Sequence, residues 1–362
     1  MPSANDLRLI SDLSGRIDAA LGGLLERGSD VALVNYPNIG NLGDAVIWLG
    51  ARAALDRIGV RVVHRCEPRA YRRKVVRRAV GERGTILLQG GGNLGDLYGK
   101  AGQQKVRERV LRDFPRARVI QLPQSIWFRR ERPKRRFAEL CAAHEDFTLI
   151  VRDRASVERA RELGLEPVLC PDLAFALGPL ERTAEPSSDI FWLARTGAEV
   201  LHGELPELAP GVRVGDYPHG RAQRAGGAGQ GLRALLAANR ALAAAIERQP
   251  RLAVPVARPA AALYEPIARR RVELARRIVA RGRVLITDRF HGHVLAALTG
   301  IPNVVLDNVY GKNRTLWETW TGRFESAHWA DDPTAAQELA LRLARGDAQV
   351  ASEPEIGDTV AR

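Results

Sequence analysis

Apolar and polar positions alternate along the first half of the chain in two different rhythms. Leu and Ile recur at three- and four-residue steps over residues 5–27, which predicts an amphipathic opening helix. Short β-branched runs then alternate with longer segments of helical period. The runs span residues 31–35, 60–64, 85–89, 119–122 and 147–151, and the helical segments span 45–58, 69–80, 106–114, 132–144 and 156–163. This alternation is typical of a parallel sheet with helices on both faces.

The second half of the chain repeats the alternation less regularly, after a polar stretch at residues 181–189 that predicts a linker. Predicted strands span 190–194, 283–287 and 303–306, a Gly-rich stretch spans 215–231, and predicted helices span 232–247, 266–280 and 292–299. We find no internal sequence repeat. The pattern predicts two α/β halves, 1–183 and 189–330, with a cleft between them. Residues 331–346 are predicted to form a closing helix within a C-terminal segment, 331–362, whose end is flexible.

Charge changes this picture little. The 362 residues carry a formal net charge of +13, but only five of the 55 basic residues are Lys, so the surplus is Arg spread over many segments. The densest clusters, at residues 69–78 and 129–136, have helical spacing and no interleaved aromatic residues for base stacking. Nucleic acid is therefore not predicted as a partner, whereas an anionic membrane surface or a phosphorylated substrate stays open.

Cysteine usage and hydropathy indicate the compartment. Cys66, Cys141 and Cys170 stand far apart, without CxxC pairing, which excludes a disulfide framework and a cysteine zinc site. No run approaches about 18 apolar residues, and residues 1–10 lack the basic-then-apolar pattern of a signal peptide. We expect a cytoplasmic protein.

Ligands of parallel sheets bind beyond the carboxyl ends of the strands, so the chemistry is expected in the loops that follow them. The loop after the first strand, residues 36–44, carries Asn38, Asn41 and Asp44. Asp44 stands where a helix N-cap is expected, so it either only caps the helix or also faces a ligand.

A Gly-rich segment, residues 89–96, follows the third predicted strand. Its glycines formally satisfy GxGxxG, but the next strand does not end in the acidic residue that a dinucleotide site needs, and no P-loop is present. Consecutive backbone N–H groups here could cradle an anion. The alternative is a tight turn without a ligand.

Arg152 closes the fifth predicted strand, where burying a guanidinium needs compensation. It either pairs with a carboxylate such as Asp172 or faces an anionic ligand. Arg154, two residues further on, is expected to be solvated.

The densest group of functional side chains spans residues 287–293, at the mouth of a predicted strand. Arg289 beside His291 suits binding a phosphate or carboxylate and donating a proton to it. A metal site is not predicted, since no second group of His, Asp or Glu has ligand spacing. We expect His293 to be a hydrogen-bonded structural residue.

Lys312 follows the next strand, either as a solvated charge or as a third cation. The residues alone thus predict a group-transfer enzyme for a small, multiply anionic substrate.

Seven stretches carry a resemblance to a known family. They are YPNIGNLGDAVI (36–47), LQGGGNLGDLY (88–98), LPQSIWF (122–128), VRDRAS (151–156), PDLAF (171–175), DRFHGHVLAAL (288–298) and DNVYGKNRTLWETW (307–320). Together, and in this order, the stretches resemble the polysaccharide pyruvyl transferase family, especially its members from bacterial exopolysaccharide biosynthesis. The resemblance implies an α/β fold of two Rossmann-like domains that face a cleft, similar to the GT-B architecture.

The resemblance also implies a reaction. Family members transfer pyruvate from phosphoenolpyruvate to two hydroxyls of one sugar, which forms a cyclic ketal and releases phosphate. The donor carries a charge near −3, which requires several cations. The arginine after the fifth strand and the Arg-x-His pair of the family match Arg152, Arg289 and His291, and Phe290 replaces the family's Leu between the last two. The family's early acid matches Asp44.

The resulting assignments cover donor, acceptor and catalysis. They are His291 and Asp44 for catalysis, Arg152, Arg289, Lys312, Gly91, Gly92 and Asn93 for phosphoenolpyruvate, and Asn41, Asp96 and Gln124 for the acceptor. Phosphoenolpyruvate is a co-substrate, and neither a cofactor nor a metal is expected. The expected acceptor is a sugar or a lipid-linked oligosaccharide, with peripheral association at the inner face of the membrane.

Two other functions compete with this hypothesis. One is a nucleotide-sugar-dependent glycosyltransferase of GT-B type, which needs a ribose-binding carboxylate that the second half does not clearly offer. The other is a carbohydrate-binding module without activity, against which the combined presence of Arg152, Arg289 and His291 argues. The acceptor sugar, the bridged hydroxyls, the ketal stereochemistry, the general base and the oligomeric state stay open.

Overall fold

A parallel sheet forms the centre of the first half of the chain. The computed structural model describes residues 1–36, 38, 40–97, 102–195, 201, 205–218 and 230–346. The strands are β1 (Asp30–Val34), β2 (Arg61–Cys66), β3 (Thr85–Leu88), β4 (Gly91–Gly95), β5 (Arg118–Trp127), β6 (Phe147–Val151) and β7 (Val168–Leu169). Their order is β2-β1-β3-β5-β6-β7, with β4 beside β5, and every pair is parallel.

Helices connect these strands, as the periodicity predicts. They are α1 (Ala4–Gly22), α2 (Leu42–Arg57), α3 (Arg73–Val80), α4 (Gln103–Asp113), α5 (Glu131–Ala142) and α6 (Arg154–Arg161). Side-chain caps define two of the starts, because Asn41 accepts from the N–H of Gly43 and Asp153 accepts from the N–H of Ser156. Buried side chains of the strands pack against α3, α4 and α5 in one apolar core that includes Val34, Leu88 and Val110.

A second parallel sheet lies in the second half of the chain. Its strands are β8 (Ser188–Leu193), β9 (Val212–Gly215), β10 (Gly282–Thr287), β11 (Asn303–Val305) and β12 (Ala327–Trp329), in the order β12-β11-β10-β8-β9. The helices of this half are α7 (Gln230–Arg248), α8 (Ala253–Val279), α9 (Phe290–Thr299), α10 (Lys312–Leu316) and α11 (Pro333–Arg345). The chain is therefore an α/β protein with Rossmann-like parallel sheets.

The two sheets share one strand order. With β4 and β7 set aside, each sheet has the doubly wound order 2-1-3-4-5 when its strands are numbered along the chain. The connections on either side of the first strand then leave in opposite directions, which opens a crevice at the carboxyl ends of strands one and three. These strands are β1 and β3 in the first sheet, and β8 and β10 in the second.

The chain divides into two compact units whose boundaries differ from the predicted ones. The larger unit comprises Ile10–Gly178 and Tyr217–Ile278, and the smaller unit comprises Met1–Leu9, Pro179–Asp216 and Val279–Arg362. The prediction placed residues 217–278 in the C-terminal half. The described residues of this range, 217–218 and 230–278, group instead with the larger unit. There Ile246 joins the apolar core and the ring of Tyr264 stacks on that of Tyr36 at 4.3 Å.

The predicted closing helix is present as α11, and its Ala336, Leu339 and Ala340 pack on the second sheet in the core of the smaller unit. The predicted flexible tail, residues 347–362, lies outside the described residues. Within the described ranges, no helix combines the length and hydropathy needed to cross a bilayer.

Candidate active site

The loop after β1 carries the first predicted site residues. Asn41 is the N-cap of α2, with its Oδ1 3.0 Å from the N of Gly43. Asp44 therefore does not cap the helix, and that expectation is wrong, because the helix begins at Leu42 and its N-cap lies three residues before Asp44. Asp44 is half-buried in the first turn of α2. Burial raises the pKa of the Tyr264 hydroxyl, and the charge of the Asp44 carboxylate adds to that rise.

The Gly-rich segment after β3 is a strand, not a free loop. Residues Gly91–Gly95 form β4, which pairs with β5 through Gly91–Gln124 and Gly95–Trp127. A Cβ on Gly95 would lie 1.9 Å from the carbonyl oxygen of Trp127, and Gly95 has a positive φ of 126°. Close packing against β5 thus explains glycine at this position, and the segment is not the tight turn of the alternative. The assignment of Gly91 and Gly92 to phosphoenolpyruvate stays a prediction.

Asn93 lies in β4 and belongs to a network of buried amides. Its Oδ1 accepts a hydrogen bond from Nε2 of Gln124 at 2.8 Å and a second one from Nη2 of Arg107. Arg107 is 1% exposed, and its Nε donates to Oε1 of Gln121 at 2.7 Å. Sequence reasoning missed Arg107, because one Arg in an Arg-rich helix gives no signal. The network brings the predicted residues Asn93 and Gln124 into direct contact.

Asp96, predicted to bind the acceptor, closes β4. Its carboxylate accepts hydrogen bonds from the N–H of Arg129 at 2.6 Å and from N and Nε of Arg130 at 3.2 and 3.1 Å. Burial raises its pKa, but these hydrogen bonds outweigh burial and leave the pKa below its ordinary value. Asp96 thus ties the end of β4 to the start of α5, and its role toward the acceptor stays a prediction.

Arg152 follows β6, and it pairs with Asp172, the first of the two alternatives. Its Nη1 lies 2.5 Å from Oδ2 of Asp172, and its Nε donates to Oγ of Ser125 at 2.8 Å. The side chains of Arg152 and Asp172 are 3% and 0% exposed. Contact between Arg152 and an anionic ligand stays a prediction. Arg154 is exposed, as expected.

Arg289 follows β10, at the switch point of the smaller unit's sheet. Its Nη2 contacts both carboxylate oxygens of Asp216, which follows β9. Its N–H donates to Oγ1 of Thr287 at 3.0 Å, and that hydroxyl donates to the carbonyl of Leu193 at 2.9 Å. These bonds fix both the backbone and the guanidinium of Arg289. Sequence analysis missed Asp216, because no strand was predicted before it.

Asp288 precedes Arg289 and links the ends of β8 and β10. Its Oδ1 accepts from the N–H of Arg195 at 2.8 Å. Burial raises the pKa of the Asp288 carboxyl, against the opposing hydrogen bond from Arg195 and the charges of Arg195 and Arg289.

The two histidines of the cluster have different surroundings. His293 is fully buried, with Nδ1 2.7 Å from Oδ1 of Asn303 and Nε2 2.8 Å from Oγ1 of Thr321. Burial lowers its pKa to about 4, so the ring is neutral at pH 7. The prediction that His293 is a structural residue is confirmed. His291 is half-buried in the first turn of α9, with its ring centroid 4.8 Å from that of Phe290.

Lys312 lies beside this cluster within the same unit. It begins α10, and its Nζ lies 5.1 Å from the ring centroid of Tyr310. Nδ2 of Asn313 donates to the carbonyls of Asp288 and Leu306, at 2.8 and 2.7 Å, which ties the loop after β11 to the loop after β10. The smaller unit thus carries Arg289, His291 and Lys312 on two adjacent strand ends.

The predicted site residues therefore fall into two sets. Asn41, Asp44, Gly91, Gly92, Asn93, Asp96, Gln124 and Arg152 belong to the larger unit, and Arg289, His291 and Lys312 belong to the smaller one. Among the residues that the structure describes, no three His, Cys, Asp or Glu side chains are grouped so that they could hold a metal ion.

Comparison with solved structures shows similarity of fold. A crystal structure of a Klebsiella pneumoniae protein of uncharacterised function is similar to this chain with a TM-score of 0.56 and 16% sequence identity. The similarity covers 88% of this chain and 98% of the other, and it bears on the fold alone.

Sequence comparison shows closer similarity to two pyruvyl transferases. The protein named pyruvyl transferase EpsO of Bacillus subtilis is 30% identical over 318 residues, which cover 87% of this chain and 91% of the relative. Pyruvyl transferase 1 of Schizosaccharomyces pombe is 30% identical over 302 residues, which cover 80% and 69%. The model of the family described as polysaccharide pyruvyl transferase matches residues 41–308. The chain therefore belongs to the polysaccharide pyruvyl transferase family.

Proposed function

We propose that this protein transfers pyruvate from phosphoenolpyruvate to two hydroxyls of one sugar residue and so forms a cyclic ketal in a cell-surface polysaccharide. Family membership supports pyruvyl transfer. The observation that carries the donor assignment is the arginine–histidine cluster of the smaller unit. Arg289 is held by Asp216, His291 follows two residues later, and Lys312 lies on the adjacent strand end.

The chemistry of the donor fits these side chains. Phosphoenolpyruvate presents a carboxylate and a phosphate, and a guanidinium held in a fixed orientation binds such planar or tetrahedral oxyanions through paired hydrogen bonds. Lys312 adds a second positive charge on the same face of the unit. Arg152 is assigned to the donor, and Asp44 to the acceptor hydroxyl, on the family resemblance.

The proposed reaction proceeds in balanced steps. His291 in its protonated form donates its proton to C3 of the donor, and positive charge develops at C2. The first sugar hydroxyl adds to C2, and its proton passes to a base, for which Asp44 is the candidate. The C2–O bond to phosphate then breaks, and the second hydroxyl closes the ring at C2. Of the two hydroxyl protons, one replaces the proton that His291 gave, and the other leaves with phosphate.

The test is direct. The protein is incubated with phosphoenolpyruvate and a panel of aryl glycosides and lipid-linked sugars, and phosphate release is followed together with the acceptor's mass. We expect a mass gain of one pyruvate less one water, in step with phosphate release. Parallel incubations replace phosphoenolpyruvate by nucleotide sugars, and glycosyl transfer from these instead would overturn the proposal.

A matched pair of variants tests the donor assignment. Arg289→Lys keeps the charge but loses the fork, so kcat/KM for phosphoenolpyruvate should fall by about 10- to 100-fold, the loss of one charge-assisted hydrogen-bond pair. Arg342→Lys makes the same change on the exposed face of α11 and should leave kcat/KM unchanged. If Arg289→Lys and Arg342→Lys have the same kcat/KM for phosphoenolpyruvate, Arg289 does not bind the donor.

A further inference from the structure

Buried side-chain amides with unpaired polar atoms collect at the carboxyl edge of the larger unit's sheet. Asn35 follows β1, Gln89 follows β3, Gln103 begins α4 and Gln124 lies in β5, and each is at most 3% exposed. Among the described residues, no hydrogen-bond partner reaches Oδ1 of Asn35, Oε1 of Gln89, Gln103 or Gln124, or Nε2 of Gln89. An unpaired buried polar atom costs free energy, so a group of them calls for bound water or for a ligand that pairs with them.

Hydrogen bonds and strand pairing connect the chain segments that carry these four amides. Nδ2 of Asn35 donates to the main-chain carbonyl of Gln103 at 3.2 Å. The main-chain N–H of Gln89 donates, at 2.9 Å, to the carbonyl of the residue that precedes Asn35. Gln124 pairs with Gly91, two residues after Gln89, and its Oε1 would lie 3.7 Å from a Cβ at that glycine. We call these four side chains the amide subsite. Asn35 and Gln89 stand at the switch point between β1 and β3, and Gln124 lies on the next strand, β5.

The unpaired atoms decide which ligand chemistry fits. Four are amide oxygens, which accept hydrogen bonds, and only one is an amide nitrogen, which donates. Two orientations are fixed by other bonds, because Nδ2 of Asn35 faces a carbonyl and Nε2 of Gln124 faces Oδ1 of Asn93. Phosphate and carboxylate groups offer acceptors only and would leave these oxygens unpaired. Hydroxyl groups both donate and accept, so a polyol satisfies oxygens and nitrogen alike.

Arg107 orients one further hydrogen-bond donor, Nδ2 of Asn93, beside the amide subsite. Its partners are neutral, namely Oε1 of Gln121 at 2.7 Å, the carbonyl of Asn93 at 3.0 Å, Oδ1 of the same Asn93 and Oε1 of Gln104 at 3.4 Å. Since Arg107 and Gln124 both donate to Oδ1 of Asn93, the Asn93 amide can turn only its Nδ2 toward a ligand. Arg107 is thus a positioning residue for a half-exposed donor at the edge of the same sheet.

We propose that the amide subsite, with Nδ2 of Asn93 at its rim, binds the hydroxyl groups of the acceptor sugar. This moves Asn93 from the donor, to which the sequence assigned it, to the acceptor. This inference rests on the proposed pyruvyl transfer to a sugar and specifies which side chains recognise the acceptor. Recognition is by neutral amides that accept from hydroxyls, so the subsite discriminates a neutral sugar from the anionic donor.

Gln89→Leu tests the proposal, because leucine has a similar volume and removes both unpaired atoms of the most incompletely bonded amide. The binding of a panel of p-nitrophenyl hexosides and N-acetylhexosaminides is measured calorimetrically in the absence of phosphoenolpyruvate. Phosphoenolpyruvate binding is measured separately. The control is Gln337→Leu, at a buried glutamine of the smaller unit. Its amide oxygen accepts from the N–H of Ala209 and its amide nitrogen donates to the carbonyl of Glu207.

For Gln89→Leu we expect at least a tenfold rise in Kd for the glycoside that the wild type binds best, with unchanged phosphoenolpyruvate binding and an equal or higher Tm. The Tm should not fall, because the variant removes unpaired buried atoms. Gln337→Leu should lower the Tm and leave the Kd unchanged.

Three results would overturn the inference. They are an unchanged glycoside Kd in Gln89→Leu, weaker binding of phosphoenolpyruvate in place of weaker glycoside binding, and a wild type that binds no glycoside of the panel. Binding is measured without the reaction, so the two proposals fail separately. Glycoside binding that depends on Gln89, without any ketal formed, would refute the proposed function alone. Ketal formation by Gln89→Leu with wild-type kcat/KM for the acceptor would refute the subsite alone.

Discussion

Arg289 and Asp216 are joined across a strand that belongs to neither of them. Arg289 follows β10 and Asp216 follows β9, and β8 runs between these two strands. Their side chains are 6% and 14% exposed, so the ion pair is largely removed from water. Asp216 therefore sets the direction of the guanidinium that we assign to the donor, and it does so from a strand end on the far side of β8.

Removing Asp216 should be costly to the fold. Asp216→Ala removes the carboxylate that contacts a buried guanidinium, so the free energy of unfolding should fall by about 3–5 kcal/mol. Urea denaturation measures the change. The KM for phosphoenolpyruvate should rise as well, because Arg289 loses its fixed orientation. A urea midpoint equal to that of the wild type would mean that the ion pair contributes nothing to stability.

His291 and His293 should separate activity from stability. His291→Ala is expected to lower kcat for ketal formation by about 10²–10⁴-fold, the usual contribution of a general acid, with little change in Tm. His293→Ala should lower stability by about 1–3 kcal/mol for each of its two partners, Asn303 and Thr321, left unpaired. Near-wild-type ketal formation by His291→Ala would remove His291 from the mechanism.

Stability should depend on pH through His293. Its pKa is about 4 in the folded protein against an ordinary 6.5, because burial disfavours the charged ring. Between these values the unfolded chain binds a proton that the folded protein does not, so stability falls as the pH falls from about 6.5 to about 4. The effect amounts to about 3 kcal/mol. Urea midpoints across this range should decline in the wild type and decline less steeply in His293→Gln.

Arg152 and Asp172 can be replaced together. Arg152→Met alone removes the counter-charge that Arg152 gives the buried Asp172 carboxylate and should destabilise by about 3–5 kcal/mol. Arg152→Met with Asp172→Leu should recover most of that loss. The double variant should remain folded yet bind phosphoenolpyruvate at least tenfold more weakly. If its donor affinity, measured by calorimetry, equals that of the wild type, the arginine serves the fold alone.

Asn93→Asp should exchange function for stability. Burial without a counter-charge lowers the pKa of Arg107 to about 9, and a carboxylate at residue 93 would supply that charge within hydrogen-bond distance. We expect a higher urea midpoint, together with weaker glycoside binding because the Nδ2 donor is lost. A lower midpoint would show that Arg107 tolerates its neutral surroundings without cost.

The sequence predicted the parallel α/β character and the strand ends that carry polar groups, because periodicity and strand-end position are local properties. It did not predict β4, since glycines gave no strand signal, or β7, which is two residues long. The assignment of residues 217–278 failed because helical period marks an amphipathic helix without identifying the core on which it packs. Asp216 and Arg289 are separated by 73 residues, and no local pattern indicates a partner at that distance.

The interleaved boundaries of the two units constrain how the chain can fold as it is synthesised. The larger unit begins at Ile10, but it is complete only when Ile278 has left the ribosome. By then β8 and β9 of the smaller unit have already emerged, and they must wait for β10, which pairs with β8. A nascent chain that ends at Gly178 lacks Tyr264, and Tyr36 and Trp48 then stay without the ring that packs on both. The apolar surface around Tyr36 and Trp48 therefore stays uncovered until more than three quarters of the chain has been made, and such exposed surface favours aggregation.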